Sequence, residues 1–200
     1  MKLNILPLSQ RDSRWASKKL GTSTVSTIGN YGCVLVCHSM MLNYFGHNLL
    51  PDVLNEVYKN KGVFDQASYI NAYEAGTVFE DVKFDEYYES WDIPCDLTKI
   101  DNHLNKKMPV IAKVDFDLDP KTQGDWHYVI IIGKTDDGHY LINDPWTGET
   151  YFFDAKYGEP ARNIYGLRIY SGKTPLITTP EDRIAELETK VKTLNESVAT

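Results

Sequence analysis

At 200 residues and 42% hydrophobic, the chain can bury one good core, which bounds it to a single catalytic-size domain with a short appendage. Its formal net charge of -7 excludes a nucleic-acid binder, because contact with a phosphate backbone needs a basic face. The apolar run in residues 1–10 is too short and meets Pro7 too soon for a secretory signal, and no stretch reaches transmembrane length, so a soluble chain made in the cytosol is expected.

In chain order, residues 24–30 read as a polar loop that leads to Gly32 and Cys33. Cys33 to Tyr44 then reads as a buried helix closed by Gly46, because apolar residues occupy nearly every face. A second helix starts at Pro51-Asp52, with proline in its first turn and Val53, Leu54 and Val57 on one stripe. Residues 65–75 and 97–107 are further helices. From Pro109 the pattern changes to strand: Val110 to Phe116, Trp126 to Ile132, His139 to Asn143 and Glu149 to Asp154 are short β-type runs. Asp136-Asp137-Gly138 supplies a hairpin signal between the second and third, and Asn163 to Tyr170 adds an edge strand. Helices first and an antiparallel sheet second make an α+β arrangement.

Composition breaks after Tyr170. Residues 171–181 form a turn-and-proline linker that neither a helix nor a central strand tolerates. Beyond it, Ile184, Leu187, Val191, Leu194 and Val198 recur at alternating steps of three and four. This is a heptad seam over 182–200, with β-branched residues at one core position and leucine at the other, which favours two-stranded parallel pairing; with fewer than three full heptads, the readings are a homodimer through a C-terminal coiled-coil helix, a stalk to a further segment, or a helix folded onto the domain.

Three cysteines cannot all pair, and Cys33 and Cys37 lie one helical turn apart, so free thiols are expected. A thiol at a helix start, His127 at a strand start and a carboxylate one strand later are the parts of a cysteine nucleophile site. The thiolate is the nucleophile, and both a helix N-terminus and a nearby imidazolium lower its pKa. In a hairpin turned at Asp136-Asp137-Gly138, His127 and the pair Asn143-Asp144 lie at the same far end of partner strands. Asn143 and Asp144 point to opposite faces, so only one can orient His127; the charge of Asp144 favours it, as does the resemblance below. Acyl transfer also needs donors for the developing oxyanion, and Gln10 with the Cys33 N–H is the candidate set.

Other residues carry weaker signals. Cys37 and Cys95 read as small core residues, His38 as structural or exposed, and His47, His103 and His139 as surface or turn residues. Trp126 and Tyr31, beside His127 and the Cys33 helix, are candidate substrate-binding residues; for Trp91 and Trp146 core packing comes ahead of a similar place on the groove wall. Asp115, Asp117 and Asp119 alternate like the start of a calcium loop, but Pro120 and Trp126 stand where its glycine and glutamate belong. A solvated acidic loop suited to cationic or amine-bearing substrates is the reading. Gly166 to Thr174 imitates a phosphate loop but is one residue too long and runs into Pro175. No metal and no cofactor are expected.

Gln10-Arg11-Asp12 with Trp15, Leu20-Gly21-Thr22-Ser23, Thr27-Ile28, and Gly32-Cys33 opening a helix with Met40-Met41 and Tyr44 before Gly46 resemble the front half of the papain-like cysteine peptidases of family thirty-nine. That family is named for bacteriocin leader peptidases and has stand-alone relatives. Leu104 through Pro109-Val110-Ile111, His127 through Gly133, and Asn143-Asp144-Pro145 resemble its back half, so the resemblance covers residues 5–155. It implies a papain-like peptidase domain over 1–170, with Gln10 in the oxyanion hole, Cys33 as nucleophile, His127 as general base and Asp144 orienting His127. Leader peptidases usually front a membrane transporter, and nothing here spans a membrane. Stand-alone relatives include bacterial and phage proteins that resemble cell-wall-cleaving modules. The resemblance therefore implies a thiol protease acting on peptide or isopeptide bonds, with a phage or bacterial peptidoglycan endopeptidase (an endolysin released to the cell wall) as its sharpest form. The alternatives are a catalytically inactive binding module dimerised by the C-terminal helix, and a cysteine acyltransferase.

Overall fold

The computed structural model describes residues 1–90, 94–117 and 125–173. The heptad helix of 182–200, most of the 171–181 linker, Trp91, Asp119 and Pro120 lie outside the described residues.

The chain opens with an extended segment that lies beside the sheet, Leu3 N donating to Ile132 O at 2.7 Å. A one-turn helix, α1 (Ile28–Tyr31), follows inside the stretch read as a loop; the Thr27 side chain caps it by accepting from Asn30 N. Gly32 then leads directly into α2 (Cys33–Tyr44), nine of whose 12 residues are buried. A helix apolar on nearly all faces belongs in the core, and α2 packs on both the sheet and α3 (Pro51–Asn60). Pro51 starts α3 with its φ already helical, and Asp52 and Lys59 sit at the ends whose dipole they complement.

The helix expected over 65–75 is not formed. Instead β1 (Phe64–Asp65) and β2 (Tyr69–Ile70) make a small hairpin, followed by the single turn of α4 (Ala72–Ala75). Gln66 and Ala67 adopt φ of 46° and 69°, which breaks any helix there, and Asn71 restarts one by accepting from Tyr73 N and Glu74 N.

Next comes β3 (Val82–Glu89), then α5 (Leu97–Asn105), capped by Asp96. The remaining elements are β4 (Val110–Asp115), β5 (Trp126–Lys134), β6 (Tyr140–Asp144), β7 (Glu149–Phe152), α6 (Phe153–Tyr157), α7 (Pro160–Asn163) and β8 (Ile164–Gly172). Six strands form one antiparallel sheet in the order β3-β8-β4-β5-β6-β7. Its centre is covered on both faces, so β4 and β5 are buried along almost their whole length and read as continuous apolar runs. The Thr135–His139 turn closes the β5-β6 hairpin, with Gly138 at φ +97° where a side chain would be strained.

Two corrections concern the far side of the sheet. β8 is not an edge strand, because β3 pairs outside it; β3 alternates exposed Lys83, Asp85 and Tyr87 with more buried neighbours, as a charged edge does. β8 also continues to Gly172, pairing Ser171 with Lys83 and Gly172 with Val82. No described helix is long and apolar enough to cross a membrane.

Candidate active site

Cys33 is the first residue of α2 and is partly exposed, while Cys37, one turn deeper, is fully buried. The tight junction of α1 and α2 requires Gly32, since a Cβ there would meet Ile28 O at 2.4 Å. On the sheet side, His127 near the start of β5 is 3% exposed and its Nε2 lies 2.8 Å from Asp144 Oδ1. That contact leaves Nδ1 for the thiol, and the Cys33 side chain and the ring line the same cavity and act on each other's ionisation. Asp144, at the end of β6, is fully buried and held from three further directions: by Trp146 N at 2.8 Å, by the Tyr157 hydroxyl at 2.7 Å and by Lys156 Nζ. Asn143 is occupied elsewhere, donating to Ile5 O at 2.9 Å and accepting from the Thr150 hydroxyl at 2.7 Å.

The electrostatics favour charge separation. Burial alone would push the thiol pKa up and the imidazole pKa down, but each group supplies the other with a hydrogen bond and an opposite charge. The net result is a Cys33 thiol lowered from its ordinary value and a His127 imidazole raised to about 9, with Asp144 contributing to the latter. Burial also opposes ionisation of Asp144, yet its hydrogen bonds to His127, Lys156 and Tyr157 hold the carboxyl well below the usual carboxylate range.

Gln10 comes to the same place from the N-terminal segment. Its backbone N–H donates to Pro145 O at 2.6 Å, and its Nε2 donates to Gly29 O at 2.9 Å, which ties the segment to both β6 and α1. An amide nitrogen carries two protons, and one remains after the Gly29 bond. Gln10 is 1% exposed, and with Cys33 and His127 it lines one cavity of about 530 Å³. Gln10, Cys33, His127 and Asp144 are thus brought together from an N-terminal loop, a helix start and two strands.

Against this geometry, the family model described as peptidase C39-like matches residues 2–162. The chain belongs to the peptidase C39-like family. The match runs from before Gln10 to beyond Tyr157, and so takes in every side chain described above. A search of curated proteins finds no match. C39-like membership makes this a chain of the papain-like cysteine peptidase type, on a mixed fold of helices against a large antiparallel sheet.

The cavity of this C39-like chain has aromatic walls. Tyr31, 66% exposed at the rim, and Trp126 both line it, as does Trp146. Trp146 is half-buried, with its ring centroid 5.2 Å from Phe116, and its place on the cavity wall fits the groove-wall reading it shares with Trp126 better than core packing. Phe116 also meets the His127 ring edge-on at 5.2 Å, shielding it from water. Cys37 and Cys95 are buried, as expected of core cysteines, and His38 is fully buried against Tyr58 and Tyr170.

The sequence offered no signal for Lys156 or Tyr157, since a short helix after β7 has no spacing that points to Asp144. It gave none for Arg168 either. Among the described residues, Asp115, Asp117 and Asp125 bring carboxylate oxygens within 4.8 Å of one another at the cavity end of β4 and β5. Asp125 is not in the acidic run read from the sequence, and Asp119 lies outside the described residues. Burial and the neighbouring Asp117 and Asp115 raise its pKa.

Proposed function

We propose that the chain is a cysteine peptidase that hydrolyses peptide or isopeptide bonds. The observation that carries this reading is the His127 ring between the Cys33 thiol and Asp144 Oδ1, 2.8 Å from the latter, on the wall of a substrate-sized cavity. The Cys33 thiolate attacks the amide carbonyl carbon, forming a C–S bond. The oxyanion receives the Cys33 backbone N–H and the remaining Gln10 Nε2 proton. His127 gives a proton to the departing amine as the C–N bond breaks, leaving a thioester. Water, deprotonated by His127, then attacks the thioester, releases a carboxylic acid and restores the thiolate. Asp144, anchored by Lys156 and Tyr157, keeps the ring facing the sulfur. No resident metal or cofactor enters this scheme.

Peptidoglycan is the substrate we propose first, on the strength of the sequence resemblance to wall-cleaving modules, and the heptad seam supports a homodimer through the C-terminal helix. Mass spectrometry of products from purified peptidoglycan and from a peptide library tests the reading. Cleavage is expected with the parent chain and lost in Cys33→Ala; a Cys33→Ala protein that still cleaves would sink it.

A further inference from the structure

Two cations are buried in the sheet, and they are treated differently. Lys113 on β4, 1% exposed, pairs with Glu89 at 2.7 Å. Arg168 on β8, 2% exposed, is paired with no carboxylate among the described residues. One guanidinium nitrogen donates to Ile70 O at 2.7 Å, and the group lies 5.1 and 5.6 Å from the ring centroids of Tyr128 and Tyr87. Its Nε has no hydrogen-bond partner, and the Tyr128 and Tyr170 hydroxyls lie toward the guanidinium. Glu89 is near enough to feel the charge but is bonded to Lys113 instead, and a buried guanidinium that no described carboxylate touches, with a donor lacking an acceptor, costs stability that an arriving anion offsets. Arg168 and Tyr128 line the same cavity as Cys33 and His127. A guanidinium presents a planar fork of donors that matches a carboxylate.

We infer that Arg168 is a specificity-determining residue that receives a carboxylate of the peptide substrate, so that the enzyme selects peptides bearing an acidic group near the scissile bond. This rests on the peptidase reading above. The carboxylate comes from a side chain or from a free C-terminus, and Arg168 with the Tyr128 hydroxyl fits either.

The test uses the full chain and a pool of peptides in which every sequence is present as a glutamate and a glutamine twin, each with a free and an amidated C-terminus. Mass spectrometry follows the loss of each peptide. The parent chain is expected to consume one carboxylate-bearing class about tenfold or more faster than its neutral twin, the yield of one charge-assisted hydrogen-bonded pair. The glutamate/glutamine ratio reports a side-chain source and the free/amidated ratio a terminal one. Arg168→Gln should bring the ratio close to one, and Arg168→Lys, which keeps the charge but loses the fork, should retain part of it. If Arg168→Gln lacks a cooperative thermal transition, Arg168→Lys carries the comparison. Equal consumption of twins by the parent, or a preference that survives Arg168→Gln, overturns the role of Arg168 while leaving the peptidase reading intact. Absence of consumption, or consumption undiminished in Cys33→Ala, overturns the peptidase reading instead. The same twins are then scored as protectants of Cys33 against iodoacetamide: stronger protection by the acidic twin that disappears in Arg168→Gln supports the subsite, and equal protection overturns it.

Discussion

Cys33 and Cys37 stand four residues apart on one helix, yet one faces a cavity and an imidazole while the other faces the core. At the mouth of α2, Cys33 is partly exposed and, despite burial, the neighbouring His127 lowers its thiol pKa. One turn deeper, Cys37 is fully buried, its thiol donates to Tyr128 O at 3.5 Å, and burial pushes its pKa well above the ordinary value. Cys95 behaves like Cys37, pushed up by burial to about 12. A thiol near a helix start is therefore not reactive by position alone; the charge it faces and the water it meets decide.

The comparison breaks most sharply at Cys33 itself. Cys33→Ala should lower kcat/KM by about 10³-fold or more, measured on whichever peptide the parent cleaves, with the unfolding midpoint unchanged. Thiol labelling by iodoacetamide near neutral pH should modify Cys33 about 10²-fold faster than Cys37 or Cys95, read by peptide mass mapping; uniformly slow labelling of all three would point to an inactive binding module. Gln10→Ala should cost about 10²-fold in kcat with a smaller change in KM, because its donor acts on charge that develops in the transition state. Asp144→Asn should cost less than Cys33→Ala, by about 10²-fold, and should also move the pH profile. The thiolate and imidazolium coexist between the lowered Cys33 pKa and about 9 for His127, so activity should fall as pH rises past about 9, checked by a kcat/KM–pH profile. Without the Asp144 charge the imidazolium loses its support, and this alkaline limb should shift to lower pH. The smallest effect belongs to Cys37→Ala, which should leave kcat/KM unchanged and lower stability by about 1 kcal/mol through lost packing, seen in urea unfolding.

Legibility from sequence followed the range of the forces involved. The α2 helix was readable to its ends, Cys33 and Tyr44, because an apolar run between glycines is a local pattern. The β5-β6 hairpin was readable for the same reason, its Asp137-Gly138 turn needing only neighbours. Residues 65–75, read as a helix, misled. The short hairpin that replaces it is held by distant backbone, with Thr22 N donating to Ala67 O at 2.8 Å. β3 went unread because its charged edge has too few apolar positions to declare a strand, and without β3 the place of β8 inside the sheet could not be known.

The sequence by itself determined the α+β order of elements, the local elements that place Cys33 at a helix start and His127 and Asp144 on partner strands, and, by alternation, that only one of Asn143 and Asp144 could face His127. Only the tertiary structure decided that Asn143 is occupied by Ile5 and Thr150, that Lys156 and Tyr157 anchor Asp144, that Trp146 walls the cavity, and that Arg168 is buried beside it with no carboxylate paired to it among the described residues. Periodicity and turn chemistry act between residues a few positions apart, and a sequence displays them directly. Burial, counter-ions and hydrogen-bond partners are set by segments that meet only after the chain has folded.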